Sequence, residues 1–347
     1  MALLRVTSPH AHGPASTGNM MLQVMLATIP GITVLTLFFG YGTLVNILCA
    51  SLFGLLFESI ALWLRGRQAL SYLKDYSALV TALLLGIAMP PYAPWWLIAV
   101  GMLAAIGLAK QLYGGLGFNP FNPAMVGYVV LLISFPLQMT SWTPAYTVGE
   151  TPGLLDALRA CFAPAQFDAT TSATALEVVK QNNSLLLKTL WVDNPALGRW
   201  GGTGWEWANI AFLAGGLWLL YRRIFSWHAP LSFLVALGLM AALFYDNGSS
   251  ASGGSPLFHL LSGATMLGAF FIITDPVTSA VSVRGRLIYG ALAGILVYVI
   301  RVWGNYPDAV AFSVLIMNFA APFIDYYTQP RTYGHQGRSH NSNKEAG

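Results

Sequence analysis

The feature that most constrains this chain is the recurrence of apolar segments of membrane-spanning length along most of its 347 residues. Hydrophobic residues make up 56% of the sequence and charged residues only 9%, whereas soluble domains carry about a quarter charged residues. About 20 predominantly apolar residues suffice for a helix to cross a bilayer. The sequence therefore predicts an all-α polytopic membrane protein. Its few charges predict no nucleic-acid partner.

Prolines, glycines and charged residues divide the chain into about ten predicted transmembrane helices. Their approximate bounds are 20–39, 43–64, 77–89, 95–109, 123–135, 207–221, 230–245, 257–274, 287–303 and 308–324. Pro30-Gly31 is predicted to break the first span, and residues 113–123 are too rich in Gly, Asn and Pro for an ordinary helix. Residues 1–18 are predicted to form a polar leader, 137–206 a long polar loop, and 327–347 a disordered tail.

The lysines and arginines predict the orientation of these spans. With the N-terminus inside, the short inside segments hold most of the basic residues, including the pairs Arg65 with Arg67 and Arg222 with Arg223. The outside basic residues fall mainly in the long loop 137–206, and long loops count least in this rule. Both termini are therefore predicted to lie inside, and the long loop outside.

Five spans precede the long loop and five follow it. Residues 19–136 and 207–326 are therefore predicted to be two five-helix repeats, and an odd number of spans gives them opposite topology. Residues 77–91 resemble residues 262–276 within an offset of one position. Inverted repeats of this kind place functional sites at their interface.

The long loop contains a small, hydroxyl-rich stretch, residues 168–176, around Thr174. Thr174-Ala-Leu-Glu177 fits a capping box, in which the threonine oxygen accepts from a backbone N–H at a helix start. Thr174 could instead carry a phosphate ester, because a helix N-terminus stabilises a phosphate. The small neighbours Ser172 and Ala173 would admit a modifying enzyme. The residues alone leave both interpretations open.

Three segments together resemble one known family. Residues 113–128, residues 171–176 (Thr-Ser-Ala-Thr-Ala-Leu) and residues 263–277 are similar to RnfD, a membrane component of the Rnf electron-transport complex. Its paralogue is the NqrB component of the Na⁺-translocating NADH:quinone reductase. The resemblance covers essentially the whole chain. It implies a flavoprotein subunit that passes electrons between flavins and iron–sulfur partners, while the complex couples ferredoxin–NAD electron transfer to Na⁺ or H⁺ translocation.

The resemblance also implies a cofactor and partners. FMN would be bound to Thr174 through a phosphoester, added from FAD by a periplasmic flavin transferase, and the predicted orientation puts Thr174 on that side. A non-covalent riboflavin is a further expectation. The implied partners are the other Rnf subunits (A, B, C, E and G) and the lipid bilayer. The chain would be part of an ion-translocating oxidoreductase rather than a complete enzyme.

A second segment resembles a flavin attachment motif. Ser262-Gly-Ala-Thr265 looks more like the motif of the partner RnfG than the stretch around Thr174 does. It begins an apolar span, however, where a transferase would reach it poorly and where small residues serve close helix packing. We therefore expect this segment to form a pocket wall. The residues predicted to line the flavin pocket are Ser172, Gly263, Ala264, Thr265 and Asp275.

Polar residues inside the spans suggest an ion path. Glu58 lies about two turns inside the second span, and buried acids in membranes often mark ion routes, although pairing with a basic group would serve equally. Asn119 and Asn122 could coordinate a cation where the helix is unwound, or simply form a structural turn. Asp275, before Pro276, could cap, coordinate an ion or bind flavin.

Other residues carry simpler predictions. Cys49 falls in an apolar span and Cys161 in the polar loop, so no disulfide is predicted between them, and their spacing predicts no metal site. Trp205-Glu-Trp207 is typical of an interfacial anchor, and His259 is predicted to be structural.

Two further functions stay open on the residues. A small-solute channel or transporter would also be built from two inverted five-helix halves, would need no cofactor, and would leave Thr174 as a plain helix cap. The paralogous quinone reductase component is the other alternative.

Overall fold

The computed structural model describes residues 16–67, 72–149, 151–163, 171–182, 184–250, 252–306 and 309–328. The predicted leader and tail fall almost wholly outside these ranges. Within them the chain is helical and contains no β-strand, and two isolated bridges join Trp142 to Ser172 and Leu197 to Gly202. The all-α prediction is confirmed.

The first half consists of apolar helices that begin close to the predicted positions. They are α1 (Thr17–Phe39), α2 (Gly42–Leu64), α3 (Ser77–Ala88), α4 (Trp95–Met102) and α5 (Pro123–Ser134). A π-helical segment, Leu103–Gln111, continues α4. At the start of α5, Asn122 Oδ1 accepts from the Met125 N–H at 3.3 Å and proline takes the first helical position, the arrangement that favours a helix start.

The predicted break at Pro30 is wrong, because α1 runs uninterrupted through that residue. A proline removes one backbone hydrogen bond, but neighbouring helices and hydroxyl side chains keep such a helix together in a membrane. Here α1 packs along a helix of the second half.

The described part of the long loop contains four short helices. They are α6 (Pro136–Thr140), α7 (Leu154–Phe162), α8 (Ala175–Gln181) and α9 (Leu187–Asp193). Apolar residues of α8 and α9 share a buried cluster with Phe258 of the second half. This part of the loop is therefore packed against the second half.

The second half differs from the prediction at the eighth span. Its helices are α10 (Trp205–Tyr221), α11 (His228–Leu243), α12 (Pro256–Leu261), α13 (Thr265–Leu267), α14 (Val283–Trp303) and α15 (Val310–Thr328). A π-helical segment, Gly268–Ile272, continues α13. The predicted single span is interrupted at residues 262–264, which we call the helix break. Gly263 has a φ of 61° there, a conformation that glycine adopts without strain.

Among the described residues, four helices are long and apolar enough to cross a membrane by length and composition: α1, α2, α14 and α15. Shorter apolar helices accompany them: α3, α4 with its π-helical continuation, α5 and α11. Large apolar side chains cover the outside, with Leu48 69% and Phe319 69% exposed, as lipid-facing side chains would be. These features describe a polytopic membrane protein.

The two halves pack directly on each other where α1 meets α10. A Cβ atom added to Gly31 would lie 2.2 Å from the Phe212 ring, and one added to Gly215 would lie 2.0 Å from the Ala27 carbonyl oxygen. Absent side chains therefore let both helices approach closely, as small residues do in membrane helix pairs. α5 and α15 form a second contact between the halves.

Candidate functional site: a cleft between the two halves

An apolar cleft lies between the two halves and is bordered by the long loop. The first half lines it with Met125, Tyr128 and Leu132, the loop with Trp142 and Thr174, and the second half with Trp205, Asn209, Ser262, Gly263 and Ala264. Thr174, Gly263 and Ala264, which were predicted from the sequence, thus line one cavity between the two halves.

Thr174 occupies the position just before α8. Its Oγ1 accepts from the Glu177 N–H at 3.4 Å, a long hydrogen bond. The Glu177 carboxylate accepts from Gln181 Nε2 at 3.1 Å, within its own helix, so the described contacts form one half of the predicted capping box. Thr174 is partly exposed, while Ser172 and Ala173 are exposed. Thr174 itself lines the cleft.

Aromatic side chains form the wall next to Thr174. The Trp142 ring meets the Trp205 ring edge-to-face at 5.0 Å, and Trp205 also lies 5.0 Å from the Phe39 ring. The Ser172 N–H donates to the Trp142 carbonyl at 2.8 Å, which fixes this part of the loop over the wall. The anchor prediction is therefore wrong for Trp205, because its ring is turned inward to the cleft.

The helix break forms the opposite wall and is held by Asn209. The Asn209 amide donates to the Gly263 carbonyl at 2.9 Å, and its oxygen accepts from the Met266 N–H at 2.9 Å. The Gly202 N–H donates to Ser262 Oγ at 3.2 Å. Sequence reasoning missed Asn209, although a single amide in an otherwise apolar helix was a usable signal.

Thr265 lies behind this wall and does not line the cleft. It is fully buried, donates to the His259 carbonyl at 2.8 Å and accepts from an Arg301 guanidinium nitrogen at 3.0 Å. Arg301 also donates to the carbonyls of His259 and Ser262, at 2.9 and 3.3 Å. The carbonyls of His259 and Ser262 thus have hydrogen-bond donors at the helix break. The prediction that Thr265 is a pocket residue is wrong, because Thr265 lies behind the wall.

Asp275 also lies away from the cleft, in a polar cluster that joins the halves elsewhere. Its carboxylate accepts from the Val277 N–H and the Thr278 hydroxyl, both at 3.1 Å. Asn122 Nδ2 donates to it at 3.5 Å. The Asn318 amide, oriented to satisfy its partners, accepts from the Asn122 N–H at 2.9 Å. The structure thus groups Asp275 with Asn122 rather than with the flavin-pocket candidates.

Glu58 belongs to a third polar group and is paired with a cation. Lys110 Nζ lies 2.6 and 2.7 Å from its two carboxylate oxygens, and Gln111 Nε2 donates to it at 2.9 Å. Asn119, buried in the Gly-rich stretch, donates to the Phe121 carbonyl at 3.1 Å. The predicted ion-path residues therefore fall into separate clusters. Glu58 is paired with a basic group, which was the alternative to an ion-path role.

A charged side chain of α8 ties the loop to the second half. Lys180 Nζ donates to the Tyr306 carbonyl at 2.9 Å. Burial lowers the pKa of Lys180, and the nearby Glu177 carboxylate opposes this shift. The bond to Tyr306 helps to hold Thr174 at the cleft.

The chain is similar to characterised families along its whole length. A sequence model described as the NQR2, RnfD, RnfE family matches residues 5–334. Proteins named as the D subunit of the ion-translocating oxidoreductase complex are 61% identical in Cellvibrio japonicus, covering 97% of this chain and 96% of the relative, and 59% identical in Ectopseudomonas mendocina, covering 97% of each. The namesake from Alcanivorax borkumensis is 51% identical over 99% of this chain and 100% of its own length.

Proposed function

Because the chain belongs to the NQR2, RnfD, RnfE family, we propose that it is the D subunit of an ion-translocating oxidoreductase complex and carries FMN on Thr174. It serves electron transport as one membrane subunit of that complex. Family membership favours this function over a solute channel without a cofactor. The three relatives all bear the name of the D subunit, which favours this component over the quinone reductase paralogue.

The observation that carries the flavin proposal is the position of Thr174 at the edge of an aromatic cleft between the halves. A phosphoester at Oγ1 would replace only the long hydrogen bond to the Glu177 N–H, and that N–H would then face phosphate oxygens. A planar ring system suits a cavity walled by Trp142, Trp205 and the small residues of the helix break. Of the two threonines that resemble attachment sites, only Thr174 reaches this cavity.

The bound flavin supplies the electron transfer, and the protein supplies binding and orientation. Trp142 and Trp205 contribute flat apolar surfaces that exclude water. Asn209 keeps the backbone of Gly263 in a fixed position by its two hydrogen bonds, so the opposite wall is rigid. These roles need no movement of the main chain.

The remaining features of the proposal follow from the family resemblance and the charge distribution. Ten transmembrane helices form two inverted repeats, both termini face the cytoplasm, and Thr174 faces the periplasm of a bacterial inner membrane. The other Rnf subunits (A, B, C, E and G) and a periplasmic flavin transferase are the partners, and riboflavin is a second, non-covalent cofactor. Glu58, Asn119 and Asn122 remain candidates for the Na⁺ or H⁺ path.

Flavin fluorescence of the denatured protein on a gel tests the attachment. The host must express the flavin transferase, and the variants are Thr174→Ala, Thr265→Ala and, as a matched control, Thr171→Ala. We expect a fluorescent band in the wild type and in the last two variants, and none in Thr174→Ala. Mass spectrometry of the tryptic peptides would identify the modified residue independently.

Two results would contradict the proposal. A fluorescent Thr174→Ala band together with a dark Thr265→Ala band would move the flavin to the helix break. A dark wild-type band, in a host whose transferase labels another protein, would leave Thr174 as a plain helix cap.

A further inference from the structure

Helix α7 (Leu154–Phe162) has three separate faces. At about 100° per residue, Leu154, Leu158, Phe162 and Leu155 share one arc of about 100°, and all four are exposed, between 40% and 69%. Ala157, Ala160 and Cys161 occupy a second arc and are buried. Asp156 and Arg159 lie between these arcs, with Arg159 Nη1 3.5 Å from the Asp156 carboxylate.

The buried face places α7 at a definite depth along α2. Cys161 Sγ lies 3.8 Å from Cys49 Sγ, and both thiols are buried and unoxidised. Cys49 is seven residues from the start of α2 at Gly42, or about 10 Å along the helix at about 1.5 Å per residue. The other end of α7 lies near the turn before α2, because the Tyr92 hydroxyl is 3.3 Å from the carbonyl oxygens of both Phe39 and Pro152. α7 therefore runs alongside the first turns of α2, from the start of that helix to the level of Cys49.

The residues around the contact between Cys49 and Cys161 indicate what surrounds the exposed apolar arc of α7. Leu48 and Leu52 lie on one side of Cys49 on α2 and are 69% and 67% exposed, so α2, a candidate membrane span, presents an apolar surface at this level. The exposed apolar arc of α7 belongs to a helix at the same level. The side chains of Asp156 and Arg159 are 51% and 74% exposed.

We propose that α7 dips alongside α2 into the leaflet on the loop side, where its apolar arc contacts the lipid acyl chains. The small residues of its buried face pack on α2, and its ion pair faces the headgroups and water. The loop that carries Thr174 is thereby fastened to the bilayer as well as to the helices. This inference does not depend on the flavin.

Spin labels on the assembled complex in lipid nanodiscs test this placement. In a Cys49→Ser, Cys161→Ser background, single cysteines at Leu155 and Leu158 probe the apolar arc, and one at Arg159 is the matched control. We expect the first two labels to collide more with oxygen, which concentrates in acyl chains, than with a water-soluble nickel chelate. The Arg159 label should show the reverse ratio. Assembly of each variant into the complex confirms its fold.

Two outcomes would overturn the proposal. Collision with the nickel chelate at both Leu155 and Leu158 would place the arc in water. Protection from both reagents in the complex, combined with oxygen access in the isolated protein, would show that a partner protein covers the arc instead of lipid. Two positions on one face guard against a label that disturbs α7 by itself.

Discussion

Replacing Lys110 by methionine should strongly destabilise this protein, because it would strand a carboxylate inside the helix bundle. Glu58 and Lys110 are both buried, 3% and 1% exposed, and their charged atoms are 2.6 Å apart. Ser77 Oγ accepts the third hydrogen bond of the ammonium at 2.7 Å. Lys110→Met leaves Glu58 with the neutral amide of Gln111 as its described donor.

The expected loss of stability in Lys110→Met follows from leaving the Glu58 carboxylate without a cation. Removing one partner of a buried ion pair costs about 3–5 kcal/mol, whereas replacing both partners by neutral groups of similar volume is often neutral or stabilising. The lower figure, about 3 kcal/mol, corresponds to a change of roughly 150-fold in the folding equilibrium. The double variant Glu58→Gln, Lys110→Met should therefore recover most of the stability lost in Lys110→Met alone.

A double-mutant cycle on the purified protein in mild detergent measures this coupling. Unfolding is followed by tryptophan fluorescence during a denaturant titration, and Arg159→Met, which breaks the exposed pair with Asp156, is the matched control. That control should change stability by less than about 1 kcal/mol. The predicted coupling would be refuted if Lys110→Met lost no more stability than the control, or if the double variant were as unstable as Lys110→Met alone. A stable double variant that has lost ion-coupled electron transfer would instead assign Glu58 to the ion path.

Three shorter predictions concern the packing of the halves and the cleft. Gly215→Ala should destabilise the protein by about 1–3 kcal/mol, because the new methyl group would meet a carbonyl oxygen of α1; Gly238→Ala, which has its nearest neighbour 4.0 Å away, should be neutral in the same titration. Asn209→Ala should keep covalent flavin on the gel but shift the visible spectrum of the folded protein, since the helix break loses its support; an unchanged spectrum would contradict this role. Copper-phenanthroline should link Cys49 to Cys161, which Ellman titration would detect as the loss of two thiols; reactive thiols remaining after oxidation would contradict the described contact.

Much of the fold could be predicted from the sequence because a membrane imposes a simple rule. Apolar runs must be helical when their backbone groups cannot bond to water. The described part of each predicted segment therefore contains helix, although the eighth is interrupted at residues 262–264. The long loop was harder. Its helices α7 and α8 are short, and their position depends on contacts with α2 and with Phe258, which local propensity does not encode.

The site could be predicted only where a motif marked it. Thr174 and Gly263 were named from the sequence, and the structure places both at the cleft. Asn209 was missed, and Trp205 was interpreted as an interfacial anchor. The direction in which a side chain points from α10 is set by packing between the halves, which the sequence does not show. Thr265 shows the opposite error: a motif-like segment was placed in the pocket wall, while Arg301 and the His259 carbonyl hold its last residue behind that wall.

The contact between α1 and α10 limits how this protein can move. The Phe212 ring occupies the space above Gly31, and the Ala27 carbonyl occupies the space above Gly215. The two helices are therefore closely packed at two positions along their length. Transporters built from inverted repeats commonly alternate by rocking one repeat against the other. Rocking of this kind would have to separate both of these contacts at the same time. A gating motion that keeps this contact intact would have to take place in the short interrupted helices instead.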